Sequence, residues 1–102
     1  MKSDDPEAEL LKSVAVQLMT TGAVALEGQK VRVEKTSRQR LRTARFLMKG
    51  REYEAIEQNP EKPSRWGKLA ASGHQVVQFR DTLTYKYVAV AVDGEVKWYG
   101  RA

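Results

Sequence analysis

The chain has 102 residues, a formal charge of +5 and a pI near 9.6, with 41% hydrophobic and 30% charged residues and no cysteine. That length gives a single domain over residues 1–102 with a modest core, and the missing cysteines exclude disulfides and thiolate metal sites. No apolar run approaches the ~20 residues of a membrane span, and the acidic opening MKSDDPEAEL is unlike a secretory or transit peptide, so a cytoplasmic, membrane-free protein attracted to polyanions is expected.

Asp4-Asp5-Pro6-Glu7 has the chemistry of a helix start: an Asp cap, Pro at the first helical position and acid in the first turn. Leu10, Leu11, Val14, Leu18 and Met19 then recur at helical spacing to about Thr20, with Gly22 as a stop. This stripe is expected to cover a sheet, the alternative being a helix-pairing surface in an oligomer. In AVALEGQKVRVEK a Gly28-Gln29 turn would pair Glu27 with Lys30, Leu26 with Val31, Ala25 with Arg32 and Val24 with Val33, the half-buried pattern of an antiparallel hairpin. Thr36 to Arg40 is expected to continue as an Arg-rich strand, with a short helix from Ser37 as the alternative.

Lys35 to Arg51 holds seven Lys or Arg and no acid, so the rest of the chain sums to 5 − 7 = −2 and the positive charge is local. A two-residue Lys49-Gly50 turn makes this stretch and the following REYEAIE a hairpin. Met48 then faces Arg51, Leu47 Glu52, Phe46 Tyr53, Arg45 Glu54, Ala44 Ala55, Thr43 Ile56 and Arg42 Glu57. One aromatic pair and two opposite-charge pairs fall into register, each contributing a few tenths to ~1 kcal/mol, and a one-residue slip scrambles all three.

Asn59-Pro60-Glu61-Lys62-Pro63 reads as a loop, and Ser64 as the cap of a short helix RWGKLAAS ended by Gly73, with Leu69 and Ala70 toward the core. His74 to Arg80 reads as a strand. The last segment is a hairpin about Asp93-Gly94. It puts Val88, Val90, Val92, Lys97 and Tyr99 on one face, and Tyr85, Tyr87, Ala89, Ala91, Val96 and Trp98 on the other. The sum is α+β: an antiparallel β-sheet built from hairpins, with an N-terminal amphipathic helix and a short central helix.

Little here points to catalysis. A lone His74 and no cysteine leave His-based metal sites and Cys–His nucleophiles without parts. Glu54 and Glu57 are expected to be consumed by Arg45 and Arg42, so no enzyme, metal or cofactor is expected. Sequence-independent binding of single strands needs cations for phosphates and flat side chains for bases. Arg38, Arg40, Arg42, Arg45, Lys49 and Arg51 are assigned to phosphates, with Arg65 and Lys68 extending the track. Phe46, Tyr53 and Trp66 are assigned to stacking or apolar contact. Tyr85, Lys86, Tyr87, Lys97, Trp98 and Tyr99 add charge and rings on the final hairpin. Each group has a plainer reading: a solvated strand face for the cations, a core pair for Phe46 and Tyr53, a helix anchor for Trp66, a structural or surface role for His74. An RNA-directed protein using the same surface, or an oligomeric interaction module with an incidental basic patch, are the rivals.

Residues 53–79, YEAIEQNPEKPSRWGKLAASGHQVVQF, resemble the ThermoDBP family of archaeal single-stranded-DNA-binding proteins and its smaller relatives. The specific residues are Glu57, Gln58, Asn59, Pro60, Ser64, Arg65, Trp66 and Gly73, within a similarity covering about Val24 to Phe79. The resemblance implies a compact α+β domain, a cleft with hydrophobic and basic walls that takes single-stranded DNA with little sequence preference, and assembly into dimers or larger homo-oligomers. The sequence shows no counterpart of the long C-terminal zipper helix of the larger members, so assembly is expected to use the N-terminal helix or the final hairpin.

Overall fold

A computed structural model describes residues 5–99; Asp4 of the expected helix start lies outside them. Helix α1 runs Pro6–Thr20, strand β1 Ala25–Leu26, β2 Gln29–Lys30, β3 Val33–Lys35, β4 Arg42–Met48 and β5 Arg51–Glu57. Helix α2, Arg65–Ala71, precedes β6 Val76–Asp81, β7 Tyr87–Val92 and β8 Glu95–Trp98. Strands β3 to β8 form one antiparallel sheet in sequence order, and β1 with β2 forms a separate ribbon. The α+β class and the N-terminal and central helices expected from the sequence are present.

Asp5 caps α1 by accepting from the Glu7 N–H at 3.0 Å, with Pro6 at the first position. Leu11, Val14, Ala15 and Leu18 bury the stripe against one sheet face. Beneath it a single row crosses all six strands: Val33, Ala44, Ala55, Phe79, Ala89 and Trp98. The three alanines let the helix settle close, and Phe46 and Phe79 fill the remaining space edge to face at 6.1 Å.

The basic hairpin has the expected register throughout, from Thr43 opposite Ile56 to Met48 opposite Arg51. Its turn residues Lys49 and Gly50 both have positive φ, as do Asp93 and Gly94, giving two hairpin turns whose twist suits the flanking strands. The first hairpin departs from expectation. Ala25 pairs with Lys30 and Leu26 with Gln29, so the turn is Glu27-Gly28, with Gly28 at φ 81 in the second turn position, as in the other two. Val33 then pairs with Ala44 on β4, not with Val24. Thr36 to Leu41 is neither strand nor helix. It closes the β3–β4 hairpin through Thr36 N–H to Leu41 O at 2.9 Å and Arg40 N–H to Thr36 O at 3.1 Å, with Arg40 left-handed at φ 58.

Ser64 caps α2 on the Gly67 N–H at 3.2 Å as expected, and α2 packs against β6. Gly67 is buried there, and a Cβ in its place would collide with the Lys62 carbonyl. A further departure lies between β6 and β7. Phe79 faces Ala89 but Arg80 faces Tyr87, so Val88 is an extra residue, a β-bulge. The bulge moves Tyr87 to the face opposite α1, where strict alternation would put it with Ala89.

Leu18 is fully buried between α1 and the sheet. Leu18→Ala is expected to cost about 2–5 kcal/mol, read as a lower denaturant midpoint at unchanged slope; a loss below ~1 kcal/mol would contradict this packing.

Candidate nucleic-acid interface

Alternation along the strands divides the sheet into a face covered by α1 and a more open face. On the latter Val76 and Val90 are nonetheless buried and α2 packs against β6, while its other strand residues are partly or fully exposed. Two rows cross the open face. One reads Arg45, Glu54, Arg80, Tyr87, and the other reads Glu34, Thr43, Ile56, Gln78, Val90, Lys97. Glu54 is the hub of the first row. Its Oε1 accepts from Arg80 Nη2 at 2.6 Å, and its Oε2 lies 3.8 Å from Arg45 Nε. The hydrogen bond to Glu54 holds the Arg80 guanidinium further above its ordinary value against the cost of burial.

Arg80 also lies over two rings, 5.0 Å from the Tyr85 centroid and 5.8 Å from Tyr87. Those rings remain accessible, at 70% and 41% exposure. Tyr85 is aimed by the β6–β7 loop, whose geometry Asp81 builds. Asp81 Oδ1 accepts from the N–H groups of Leu83 at 2.8 Å and Thr84 at 3.2 Å, and its carbonyl accepts from Tyr85 N–H at 2.8 Å. Tyr85 itself is left-handed at φ 63. The Arg51 guanidinium, 2.6 Å and 3.0 Å from Asp81 Oδ2, together with the loop amides, holds the Asp81 carboxyl below the usual range.

At the β3 side of the open face a hollow of about 360 Å³ is lined by Lys30, Arg32, Glu34, Thr43, Arg45, Glu52 and Glu54. Its cations and carboxylates balance, so it is not a phosphate channel. The unneutralised charge is elsewhere. Arg38 and Arg40 in the β3–β4 loop, and Arg65 and Lys68 on α2, are exposed at the same end of the sheet, where no carboxylate among the described residues pairs with them. Arg65 lies over the Trp66 ring at 4.8 Å, and Trp66 is half-buried.

The expected site is therefore split. Arg38, Arg40, Arg45, Arg65, Trp66 and Lys68 reach solvent on the open face or its rim. The other five sit on the α1 side or at its margin. Phe46 is 2% exposed, so a stacking role is corrected to a core role. Tyr53 packs half-buried beside it, centroids 6.1 Å apart. Arg42 donates to the carbonyls of Leu18 and Met19 at 3.1 Å each and lies 3.4 Å from Glu57, so it caps the end of α1. Arg51 is engaged with Asp81, and Lys49 lies 3.6 Å from Glu7. Missing from the expected set are Arg80 and the directed positions of Tyr85 and Tyr87. Only the crowding of rings and cations near residues 80–87 hinted at them.

His74 Nδ1 lies 2.7 Å from Asp93 Oδ2, and the Gln75 N–H to Asp93 Oδ1 at 2.9 Å is the main cause holding that carboxyl below its usual range, with His74 second. Among the described residues no three His, Cys, Asp or Glu converge as a metal site, and no helix is long and apolar enough to cross a membrane. The molecule is an α+β sheet protein with one face sealed by a helix and the other carrying arginines and tyrosines. No protein-family model, curated protein or solved structure matches the chain.

Because Asp81 is depressed in the fold, it adds stability above the pKa of a free Asp, and this is lost as the pH falls through its lower folded value. Acid titration of the unfolding free energy should therefore decline below about pH 4, and Asp81→Asn should be destabilised at pH 7 with a shallower acid decline. Equal acid profiles for the two proteins would refute the role given to Asp81.

Proposed function

We propose that this chain binds single-stranded nucleic acid without reading its sequence, across the sheet face opposite α1, and is not an enzyme. The observation that supports this is the placement of two accessible tyrosine rings beside arginines on a face whose rim carries exposed, unpaired cations. Tyr85 and Tyr87 offer π-faces on which any base can stack, held in place by the Arg80 guanidinium behind them. Arg38, Arg40, Arg65 and Lys68 supply phosphate contacts at the far end, with Arg45 between. Trp66, with Arg65 against its ring, extends the apolar contact at that rim. DNA is favoured over RNA on the strength of the ThermoDBP resemblance.

Binding of a fluorescent homopolymeric oligonucleotide tests the reading. Tyr87→Ala and Tyr85→Ala are each expected to weaken binding by about 1–3 kcal/mol, while Phe46→Leu, a change inside the core, leaves affinity near wild type in folded protein. Affinity should fall with salt at a log–log slope of roughly −0.7 per phosphate contact, and the Arg38→Ala, Arg40→Ala double variant should make that slope shallower by about one to two contacts' worth. A flat salt response, or tyrosine variants that bind like wild type, would refute the interface. Competition with RNA of matched length reads the preference, since only RNA presents the 2′-OH.

A further inference from the structure

The β6–β7 loop, residues 82–86, holds apolar side chains in water on an ordered backbone. Leu83 is 83% exposed, the highest of any large apolar side chain among the described residues, and Tyr85 stands two positions on. Every amide of the loop is bonded. Thr82 N–H donates to the Glu52 carbonyl at 3.2 Å, those of Leu83 and Thr84 to Asp81 Oδ1, and that of Tyr85 to the Asp81 carbonyl. The Lys86 N–H donates to Thr84 Oγ1 at 3.3 Å. Tyr85 is left-handed, a conformation unfavourable for such a side chain unless its surroundings impose it. A loop free to collapse would lay Leu83 on the sheet; this one presents it to solvent. Lys86 is exposed and no carboxylate among the described residues pairs with it, while the buried Asp81 is matched by Arg51. Glu52, beside the loop, accepts from Thr82 Oγ1 at 2.9 Å. The loop lies at the end of the sheet away from the cations of the β3–β4 loop and α2. It therefore stands where a strand lying along the open face would leave it.

We propose that this tip caps the terminal base pair of a duplex, so that the preferred ligand is a single strand where it emerges from paired nucleic acid. The inference rests on the binding reading above and adds the class of substrate. Unpaired bases are already served by the rings of Tyr85 and Tyr87, which leaves Leu83 beyond them without a base to meet. The flat apolar surface next along such a ligand is the outer face of its last pair, wider than any single base. Leucine is among the side chains that proteins press against base steps. A fixed backbone is what this contact needs, because a tip that must first be ordered gives up part of the binding energy. The loop also blocks continuation of the duplex, so the exiting strand turns onto the sheet at Tyr85. Lys86 supplies a cation for the phosphates of the last pair. The local excess of positive charge favours a polyanion over a neutral apolar partner. An anionic lipid surface shares that preference, and the test separates the two.

Fluorescence anisotropy on the intact chain compares a thymine tail of about ten nucleotides, the same tail on a DNA hairpin in either polarity, and the hairpin without a tail. The tailed hairpin, in one polarity, is expected to bind roughly tenfold tighter than the tail alone, the worth of one further stacked contact. Leu83→Ser should remove that preference and leave the affinity for the tail within about twofold of wild type, while Tyr85→Ala weakens both probes alike. Leu83 is exposed, so thermal unfolding should show Leu83→Ser as stable as wild type. A fluorescent purine analogue in the terminal pair should change its emission on binding wild type and not on binding Leu83→Ser. If no probe binds, the binding reading fails and this inference with it. If the tail binds but the hairpin adds nothing, or the gain survives Leu83→Ser, this inference alone fails. Leu83-dependent sedimentation with phosphatidylserine vesicles, without a junction preference, would overturn it in favour of a lipid surface.

Discussion

One helix lying across one face of one sheet is the constraint on which everything else in this molecule depends. Leu11, Val14, Ala15 and Leu18 have no place to be buried except over the row of Ala44, Ala55, Phe79 and Ala89. A fully buried Leu or Val contributes about 1.5–3 kcal/mol, so this layer supplies much of the driving force for a chain of this size. Side chains alternate along a strand. Once α1 has chosen a face, every second residue of each strand is committed to that core. The others go to the opposite face, where Val76 and Val90 are buried too and the arginines and tyrosines reach solvent.

The same alternation divides the basic hairpin. Its charge is continuous in sequence but not in space, because Arg42 and Arg45 point to opposite sides of β4. Arg42 is drawn to the carbonyl end of α1, where the helix dipole favours a cation. Arg45 stays outside and shares Glu54 with Arg80. The open face is therefore close to neutral at its centre, and the uncompensated charge sits on the loop and helix at its end. A surface built this way would hold phosphates at the rim and bases over the sheet, with the two kinds of contact carried by different residues.

Asp81 and the bulge at Val88 convert an ordinary strand connection into an aimed pair of rings. Strict alternation would send Tyr87 inward beside Ala89, where α1 leaves no room for it. One extra residue moves it outward, and the loop amides gathered on Asp81 hold Tyr85 in a left-handed conformation that few side chains adopt. Local strain at Tyr85 and the irregular ladder at Val88 thus meet at the same arginine, Arg80, whose guanidinium lies over both rings.

The sequence by itself determined the parts whose information is local. The cap and acidic first turn of α1, the Ser64 cap of α2, and the Lys49-Gly50 and Asp93-Gly94 turns could all be read there, because each is a bond or dihedral preference within a few residues. Register in the two long hairpins followed from turn length and from charge and ring pairs that only one alignment satisfies. Tertiary structure alone decided that Val33 joins β4 instead of Val24, since β4 offers a longer ladder than a two-strand ribbon does. It also decided that Thr36 to Leu41 closes a hairpin, that Tyr87 is displaced by a bulge, and that Phe46 is sealed while Tyr85 is not. Those outcomes depend on which face the helix covers and how closely it approaches, a choice made by contacts between residues tens of positions apart.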